Sequence, residues 1–237
     1  MLENYVVLDL EMTGLNPKTD KIMEIGAARI RDGAVTDTFQ TFVDPRQKIP
    51  AKAAEITKIT DDMLCGAPTA GEAIKGLIDF CGADFLVGHN IMFDYSFLKQ
   101  AAVNEKLSFE KRGIDTLKLA RKLLPELEHK TLEYLCSHYK IVREAEHRAL
   151  FDALATGELL EHLKREFLES EEAAFSPHEL QYRAKRQTPA TKPQKIHLKE
   201  LADYHKISLD VSFDTMTRNE ASRLTDQIIS RYGRIKL

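Results

Sequence analysis

Cysteine is scarce in this sequence. It occurs three times in 237 residues, at Cys65, Cys81 and Cys136, and never in a C-x-x-C pair. An odd number of widely spaced cysteines argues against both a disulfide framework and a zinc site built on thiolates. Because this pattern requires no oxidising compartment, we expect a reduced, cytoplasmic protein.

Long apolar runs are also missing. No stretch approaches the roughly 18 consecutive apolar residues that a membrane-spanning helix needs, so we expect no membrane protein. The N-terminal residues MLENYVVLDLE place carboxylates where a secretory signal needs basic residues. A hydrophobic content of 43% and a charged content of 30% are ordinary for a globular protein and exclude a wholly disordered chain.

A strong excess of one charge is the third missing feature, since the net charge is only -3. The two parts of the chain differ, however. Residues 1–172 contain 22 basic and 30 acidic side chains, and residues 173–237 contain 12 basic and 7 acidic ones. The second part includes a basic run without an intervening acid, formed by Arg183, Lys185, Arg186, Lys192, Lys195 and Lys199. Two prolines and few apolar residues in this run indicate a linker.

The charge pattern predicts three parts. Residues 1–168 form a folded domain, residues 169–195 a basic, proline-containing linker, and residues 196–237 a small, mostly helical C-terminal module. A helix is predicted over 197–206, and a capping box at Thr217-Arg-Asn-Glu220 predicts the start of another. About forty residues are marginal for independent folding, so we expect the module to dock on the larger domain.

The first domain has the pattern of an α/β fold. Short β-branched runs predict strands at 5–10, 22–30, 34–43 and 84–87, and Asp32-Gly33 predicts a hairpin between the second and the third. Helical patterns cover 51–59, 70–80, 92–103, 116–124, 131–139 and 148–167. The hairpin and the alternation predict a mixed sheet with helices packed on its faces. Glu24, a polar residue inside an apolar strand, is interpreted as structural.

The first candidate site lies where the first predicted strand ends. Asp9 and Glu11 are two residues apart, so both carboxylates leave the same face of the strand. Neighbouring carboxylates repel each other unless a cation lies between them. Acids are also common where a strand merely enters a turn, and Thr13-Gly14 supplies such a turn. The pair alone therefore leaves both interpretations open.

The second candidate site is the segment from Val87 to Asp94, Val-Gly-His-Asn-Ile-Met-Phe-Asp. Asn90 is a good N-cap for the helix that follows it. On that helix Asp94 shares a face with Phe97 and Leu98, and an acid on an apolar face is costly unless it is ionised against a partner. A local interaction with the helix terminus is the alternative explanation.

The third candidate site is His147-Arg-Ala-Leu-Phe-Asp152. Two residues five positions apart on one helix point about 140° away from each other. His147 and Asp152 can therefore converge only if the histidine lies in the loop before the helix and the acid lies in its first turns. The alternative is a surface histidine beside an acid near a helix start.

Together, the three segments resemble the DnaQ-like, or DEDDh, family of 3′-5′ exonucleases. The resemblance is carried by Asp9-Leu-Glu-Met-Thr-Gly-Leu15, by Gly88-His-Asn-Ile-Met-Phe-Asp94 and by His147-Arg-Ala-Leu-Phe-Asp152. All five positions of the family's D, E, D, H, D set are present in order. The resemblance implies a ribonuclease H-like fold, in agreement with the mixed sheet, and it does not extend to residues 170–237.

The resemblance also implies a role for each residue. Asp9, Glu11 and Asp152 are expected to hold one divalent cation, and Asp9 and Asp94 a second. Oxygen ligands favour Mg²⁺ or Mn²⁺ over zinc. His147 is the expected general base, because imidazole titrates near neutral pH. The residues that resemble substrate-binding positions are Met12, Thr13, Gly14, Leu15, His89, Asn90 and Phe93.

The motifs point to two substrates. The segment Asp9–Leu15 is also similar to oligoribonucleases, which degrade very short RNA, whereas Val87–Asp94 is similar to the proofreading exonucleases of polymerases. We expect release of 5′-mononucleotides from single-stranded or frayed DNA 3′ ends, with RNA 3′ ends as the alternative. A DNA polymerase or another replication protein is the candidate partner.

A hypothesis of another class makes the C-terminal tail the functional unit. The basic linker and the tail would then bind nucleic acid or a polymerase as an accessory module. Basic, proline-containing linkers are more often solvated spacers, and the apolar stripe of the tail helix need only pack on a neighbouring helix. If deletion of residues 170–237 abolished DNA binding while the remaining domain kept its full turnover, the accessory module would be favoured.

Overall fold

The computed structural model of the chain describes residues 2–143, 147–209, 211–214 and 216–235. Its strands are β1 (Asn4–Met12), β2 (Ile22–Arg31), β3 (Ala34–Phe42), β4 (Phe85–Gly88), β5 (Arg112–Asp115) and β6 (His178–Glu179). Its α-helices are α1 (Ala51–Thr57), α2 (Ala70–Cys81), α3 (Ile91–Asn104), α4 (Thr116–Leu123), α5 (Leu132–Tyr139), α6 (Ala149–Phe167), α7 (Lys192–Tyr204) and α8 (Arg218–Tyr232). Within these ranges no helix is long and apolar enough to cross a membrane.

The described strands form one mixed sheet in the order β3-β2-β1-β4-β5-β6. The β1, β2 and β3 strands pair antiparallel, β4 and β5 run parallel to β1, and β6 is antiparallel to β5. The turn between β2 and β3 has a left-handed backbone at Asp32 (φ 50°) and Gly33 (φ 76°), as a two-residue Asp-Gly hairpin requires. The predicted mixed α/β sheet with its hairpin is confirmed.

Helices cover both faces of the sheet, because alternate residues of β1 point to opposite sides. Tyr5 packs in an apolar cluster with α4, α5 and α6, whereas Val6 packs in a second cluster with α2 and α3. Burial on both faces explains the continuous apolar run of β1. The Tyr5 face continues along the strand to Asp9 and Glu11, so both acids lie on the α6 side at the carboxyl end of β1.

A glycine lets α6 begin close to the sheet. A Cβ on Gly26 would lie 2.1 Å from the backbone nitrogen of Leu150 and 2.2 Å from the carbonyl carbon of Ala149. Gly26 is also the cross-strand partner of Asp9 in the β1–β2 ladder. Its missing side chain therefore allows the first turn of α6, which carries Asp152, to approach Asp9.

The segment predicted as a linker is docked along much of its length. Phe175 is fully buried in the α6 cluster, and Leu180 is buried in the cluster of α2 and α3. Between them lies the two-residue strand β6. The sequence pattern does not predict β5 or β6. Strand β6 has only two residues, and β5, Arg-Gly-Ile-Asp, has a single large apolar side chain and therefore lacks the apolar run that marks β4.

The C-terminal helices pack on each other around a small apolar cluster. The predicted capping box is present, with the Thr217 side chain accepting from the Glu220 amide. Helix α7 begins at Lys192, five residues before the predicted start, because Thr191 and Gln194 form a second capping box. The boundary between linker and module at residue 195 therefore falls inside a helix, while the division of the chain into three domain segments stays a prediction.

Candidate active site

The two acids of the first motif lie together at the carboxyl end of β1. Glu11 is 9% exposed and Asp9 is partly buried. Burial raises the pKa of Asp9 well above its ordinary range, and the charges of Asp94, Glu11 and Asp152 raise it further. Burial and then the charges of Asp152 and Glu24 raise the pKa of Glu11 to about 8. A bound cation would relieve the cost of ionising both groups.

Asp94 reaches the same place from the first turn of α3 and is 4% exposed. Burial raises the pKa of the Asp94 carboxyl, while hydrogen bonds from its own amide and from the Leu10 amide oppose that rise. The bond from Leu10 places the Asp94 carboxylate against β1, one residue from Asp9 along the chain. Two separate elements therefore bring their acids to one point.

Helix α3 starts in a way that the sequence does not predict. Asn90 has a left-handed backbone (φ 68°) and its side chain makes no capping hydrogen bond, so its predicted role as a side-chain N-cap is wrong. Its N–H instead donates to Oδ1 of Asp115 at 3.0 Å. Asp115 also caps α4 by accepting from the Leu117 N–H at 3.0 Å. Asp115 thus fixes the start of α3 as well as that of α4. The sequence could have indicated it only as an acid placed directly before the helix predicted at 116–124.

The third motif has the geometry that its spacing requires. His147 lies two residues before α6 with a left-handed backbone (φ 56°), and Asp152 is buried in the first turn of that helix. The His147 N–H donates to Oδ2 of Asp152 at 3.2 Å. One ligand atom each from Glu11, His147 and Asp152 lie within 4.8 Å of one another. The predicted convergence of His147 and Asp152 is confirmed, and their catalytic roles stay a prediction.

The other oxygen of Asp152 is held by a residue outside the three motifs. Arg143 donates from Nη1 to Oδ1 of Asp152 at 2.9 Å, and both side chains are 9% exposed. The residues between Arg143 and His147 lie outside the described part of the chain. No spacing rule identifies Arg143 from the sequence, because it belongs to an irregular segment.

A neighbouring acid, Glu24, is neutralised by protein groups. It is fully buried and accepts hydrogen bonds from Arg148 at 3.0 and 3.1 Å and from Gln40 at 2.9 Å. The Ala149 N–H, at the first residue of α6, also donates to it at 3.4 Å. These contacts tie the start of α6 to β2, which supports the structural interpretation of Glu24.

The residues after β1 form a loop, 13–21, which we call the substrate loop. The buried Thr13 hydroxyl accepts from the Lys21 N–H at 2.9 Å and from Gln47 at 3.2 Å, so this side chain shapes the loop. A Cβ on Gly14 would lie 2.4 Å from the Asp20 carboxylate, which accepts from the Asn16 N–H at 2.8 Å, so a larger residue there would displace that carboxylate. Leu15 is 80% exposed. The loop thus presents an exposed apolar side chain four residues after Glu11, and its contact with substrate stays a prediction.

The other predicted substrate residues differ in how much of their surface the fold leaves available. Both ring nitrogens of His89 are engaged, with Lys130 O at 2.9 Å and Thr116 Oγ1 at 3.0 Å, and burial lowers the pKa of this histidine. Phe93 packs edge-to-face on Phe97 with ring centroids 5.4 Å apart. Met12 ends β1 and is partly buried. His89 is therefore committed to protein contacts, whereas Met12 and Phe93 each keep an exposed part.

The sequence is similar to exonucleases. The family model described as Exonuclease (RNase T) matches residues 6–160. Similar curated proteins include the PolC-type DNA polymerase III of Clostridium perfringens (strain 13 / Type A), 42% identical over 158 residues, and that of Bacillus subtilis (strain 168), 40% identical over 161 residues. Each match covers 67% of this chain but only 11% of the relative. The chain thus spans about a tenth of the length of these relatives.

The fold is similar to solved nuclease structures. Exonuclease X in complex with 5′ overhanging duplex DNA aligns with a TM-score of 0.55 and 26% identity, over 69% of this chain and 92% of that one. The nuclease domain of 3′hExo, a DEDDh family member bound to rAMP, aligns with a TM-score of 0.63 and 17% identity, over 76% of this chain and 98% of that one. The second likeness shows the fold alone.

Proposed function

The chain belongs to the exonuclease family of the DEDDh type, and on that premise we propose that it removes nucleotides one at a time from the 3′ ends of single-stranded or frayed DNA. The observation that carries this proposal is the convergence of four carboxylates and His147 at one end of the sheet. The residues matched by the family model include all five. The proposed products are 5′-mononucleotides.

The acid cluster fits divalent cations. Its members Asp9, Glu11, Asp94 and Asp152 offer only oxygen ligands, which suit Mg²⁺ or Mn²⁺. Burial and mutual repulsion raise the pKa values of Asp9 and Glu11, as expected for ligands without their metal. Asp9, Glu11 and Asp152 would hold one ion, and Asp9 with Asp94 a second. Two such ions, when bound, stabilise the negative charge that develops on the attacking and leaving oxygens of a phosphodiester.

His147 is proposed to act as the general base. It is exposed, and one of its ring nitrogens lies within 4.8 Å of a carboxylate oxygen of Glu11 and of Asp152. In the proposed reaction His147 takes a proton from the attacking water, whose oxygen forms a bond to phosphorus. The bond between phosphorus and the 3′ oxygen of the preceding nucleotide breaks, and that oxygen gains a proton from solvent.

The preference for DNA is supported by the relatives. Proteins 40–42% identical to this chain are DNA polymerases, and the Val87–Asp94 segment is similar to proofreading exonucleases. RNA 3′ ends are the second candidate substrate, because Asp9–Leu15 is similar to oligoribonucleases.

In either case the exposed Leu15 is proposed to pack against the terminal base, and Met12 and Phe93 to line the nucleotide site. A DNA polymerase is the proposed partner, since the curated relatives carry the similar segment within polymerase chains.

A substrate comparison tests this function. We would incubate the full chain with 5′-labelled single-stranded DNA, a duplex with a mismatched 3′ end, long RNA and RNA of two to five nucleotides, each with Mg²⁺ or Mn²⁺. We expect ladders shortened from the 3′ end, the fastest cleavage on single-stranded DNA, and no cleavage with excess chelator. Faster cleavage of the short RNA would establish the second candidate, and cleavage in chelator would contradict the metal-dependent mechanism.

A further inference from the structure

The segment Arg183–Gln187, which we call the basic segment, is fixed against the exonuclease domain. The Lys185 carbonyl accepts from Gln100 on α3 at 2.8 Å, and the Gln187 N–H donates to Asn104 on the same helix at 3.0 Å. Before the segment, Leu180 is buried and its N–H donates to the Lys111 carbonyl at 2.9 Å. A solvated spacer would lack such anchors, so the backbone of the basic segment has a defined path.

The cationic groups of the basic segment face solvent. Arg183, Lys185 and Arg186 are exposed, and no ion pair or side-chain hydrogen bond within the described residues involves their charged groups. Elsewhere in the described chain, cations commonly pair with acids, as Lys122 does with Glu171 at 2.7 Å. A held backbone that carries three unpaired positive charges is suited to an anionic partner from outside the molecule.

The basic segment also touches the substrate loop. The Gln187 side chain donates to the Lys18 carbonyl, and Lys18 itself is exposed. Along α3, Gln100 and Asn104 lie six and ten residues beyond Asp94, which corresponds to about 9 and 15 Å at 1.5 Å per residue. A stacked strand rises about 3.4 Å per nucleotide, so this separation is that of about three to four nucleotides.

From this placement we infer that Arg183, Lys185 and Arg186 bind the phosphodiester backbone of a single strand a few nucleotides before the 3′ end that is cleaved. The inference rests on the proposed function, because it takes the acid cluster as the place of cleavage. It adds a substrate-binding surface outside the part of the chain that the exonuclease family model matches. Short substrates would not reach the basic segment, whereas longer strands would gain affinity from it.

The test compares substrates of two lengths in matched variants. The variant K185A/R186A removes two charges but keeps the Lys185 carbonyl that Gln100 holds. The control K75A/R165A removes two exposed charges from α2 and from the far end of α6. For each protein we would measure kcat and KM on dT2 and dT12, together with the Kd of fluorescein-labelled dT12 and U12 by anisotropy.

We expect the double variant to raise KM and Kd about tenfold on dT12, to change kcat/KM on dT2 by less than about twofold, and to leave the control near wild type. The slope of log Kd against log salt should fall by about 1.4, because each phosphate contact contributes about 0.7 on a single strand. Equal loss on dT2 and dT12, or a Kd for dT12 equal to that of the control, would overturn the inference.

The two proposals fail in distinguishable ways. If the wild-type chain cleaves neither DNA nor RNA, the proposed function is wrong, and anisotropy still reports whether the basic segment binds strands. If cleavage proceeds and the double variant matches the control, only the basic-segment inference is wrong. If the double variant loses affinity for dT12 and for U12 to a similar extent, the shared phosphodiester backbone is the recognised group, whereas a loss confined to one of them would show that base or sugar contacts dominate, contrary to the inference.

Discussion

Glu11 and Glu24 face each other across the β1–β2 ladder, yet their surroundings differ. Both are buried, at 9% and 0% exposure. Glu24 is neutralised by Arg148 and hydrogen-bonded by Gln40, whereas Glu11 faces Asp152 and Asp94 and its pKa rises to about 8. Glu24 is stabilised by an ion pair within the protein, whereas Glu11 makes no ion pair among the described residues and Arg148 only partly offsets the rise of its pKa.

The comparison separates a structural acid from a functional one. Charges are costly to bury, so a folded protein keeps a buried acid either because a partner neutralises it or because a ligand will. Glu24 belongs to the first kind and joins β2 to the start of α6. We propose that Asp9, Glu11 and Asp94 belong to the second kind, with divalent cations as their ligand.

The largest effect is expected from removing one charge of the acid cluster. Asp9→Asn should lower kcat about a thousandfold or more, because an amide is a poor ligand for the proposed ions and a loss of several kcal/mol of transition-state stabilisation corresponds to several factors of ten. The metal-free variant should also melt at a higher temperature than wild type, since burial and the neighbouring acids make the Asp9 carboxylate costly to ionise and a neutral amide avoids that cost. Calorimetry with and without Mg²⁺ would measure the melting temperature of each protein and the rise that the metal produces.

The matched control for this variant is Asp79→Asn, an exposed acid on α2. Its activity and its Mg²⁺-dependent rise in melting temperature should equal those of wild type. If Asp9→Asn keeps the full Mg²⁺-dependent rise in melting temperature, Asp9 is not a ligand of the proposed ions. The contrast between the two kinds of buried acid then does not hold for Asp9.

His147→Ala should have the next largest effect. We expect kcat to fall about a hundredfold, the lower range for general-base catalysis, while the Mg²⁺-dependent rise in melting temperature is unchanged. His129→Ala, at an exposed histidine, is the control. Unchanged turnover in His147→Ala would make this histidine a structural residue.

Glu24→Gln should act on stability more than on chemistry. The substitution leaves the Arg148 guanidinium with a neutral partner, and we expect a loss of about 1–2 kcal/mol in urea unfolding, discounted for the partial exposure of Arg148. Asp9→Asn and Glu24→Gln should therefore move the stability of the metal-free protein in opposite directions. If both stabilise it, Glu24 is not the paired acid that the geometry indicates.

The sequence predicts the part of this site that depends on local spacing. The two-residue separation of Asp9 and Glu11 fixes their common face, and the five-residue separation of His147 and Asp152 requires a loop followed by a helix start. The left-handed backbone of Asn90 is not predictable in this way, because Asp115, 25 residues later, holds its amide. The contact between Arg143 and Asp152 likewise depends on an irregular path.

The docking of the predicted linker shows the same limit at the level of the fold. Its basic and proline-containing composition resembles that of a solvated spacer. The buried side chains of Phe175 and Leu180 hold it on the sheet, and only the completed tertiary structure supplies the surfaces that they contact. Composition therefore describes the charge of this region but does not predict its contacts with the sheet.

The smallest expected effect concerns Glu220, a partly buried acid of α8 that forms an ion pair with Lys21. Burial raises the pKa of Glu220, but the Lys21 ammonium at 2.7 Å and the hydrogen bonds with Thr217 outweigh burial, so the pKa lies below its ordinary value of 4.5. Stability from this pair is present above pH 4.5 and is lost as the pH falls through the lowered pKa. Glu220→Gln keeps the capping geometry and removes the charge.

We expect urea unfolding to show wild type more stable than Glu220→Gln by about 0.5–1 kcal/mol at pH 6, with the difference shrinking as the pH falls below 4.5. The difference shrinks towards low pH because folding lowers the pKa of Glu220. The unfolded chain therefore binds a proton more readily than the folded chain, and acid favours unfolding of the wild type. The pair joins α8 to the substrate loop, so the acid-induced loss should be largest for the C-terminal module. A difference that grows as the pH falls would contradict the assignment of Lys21 as the partner that stabilises the ionised acid.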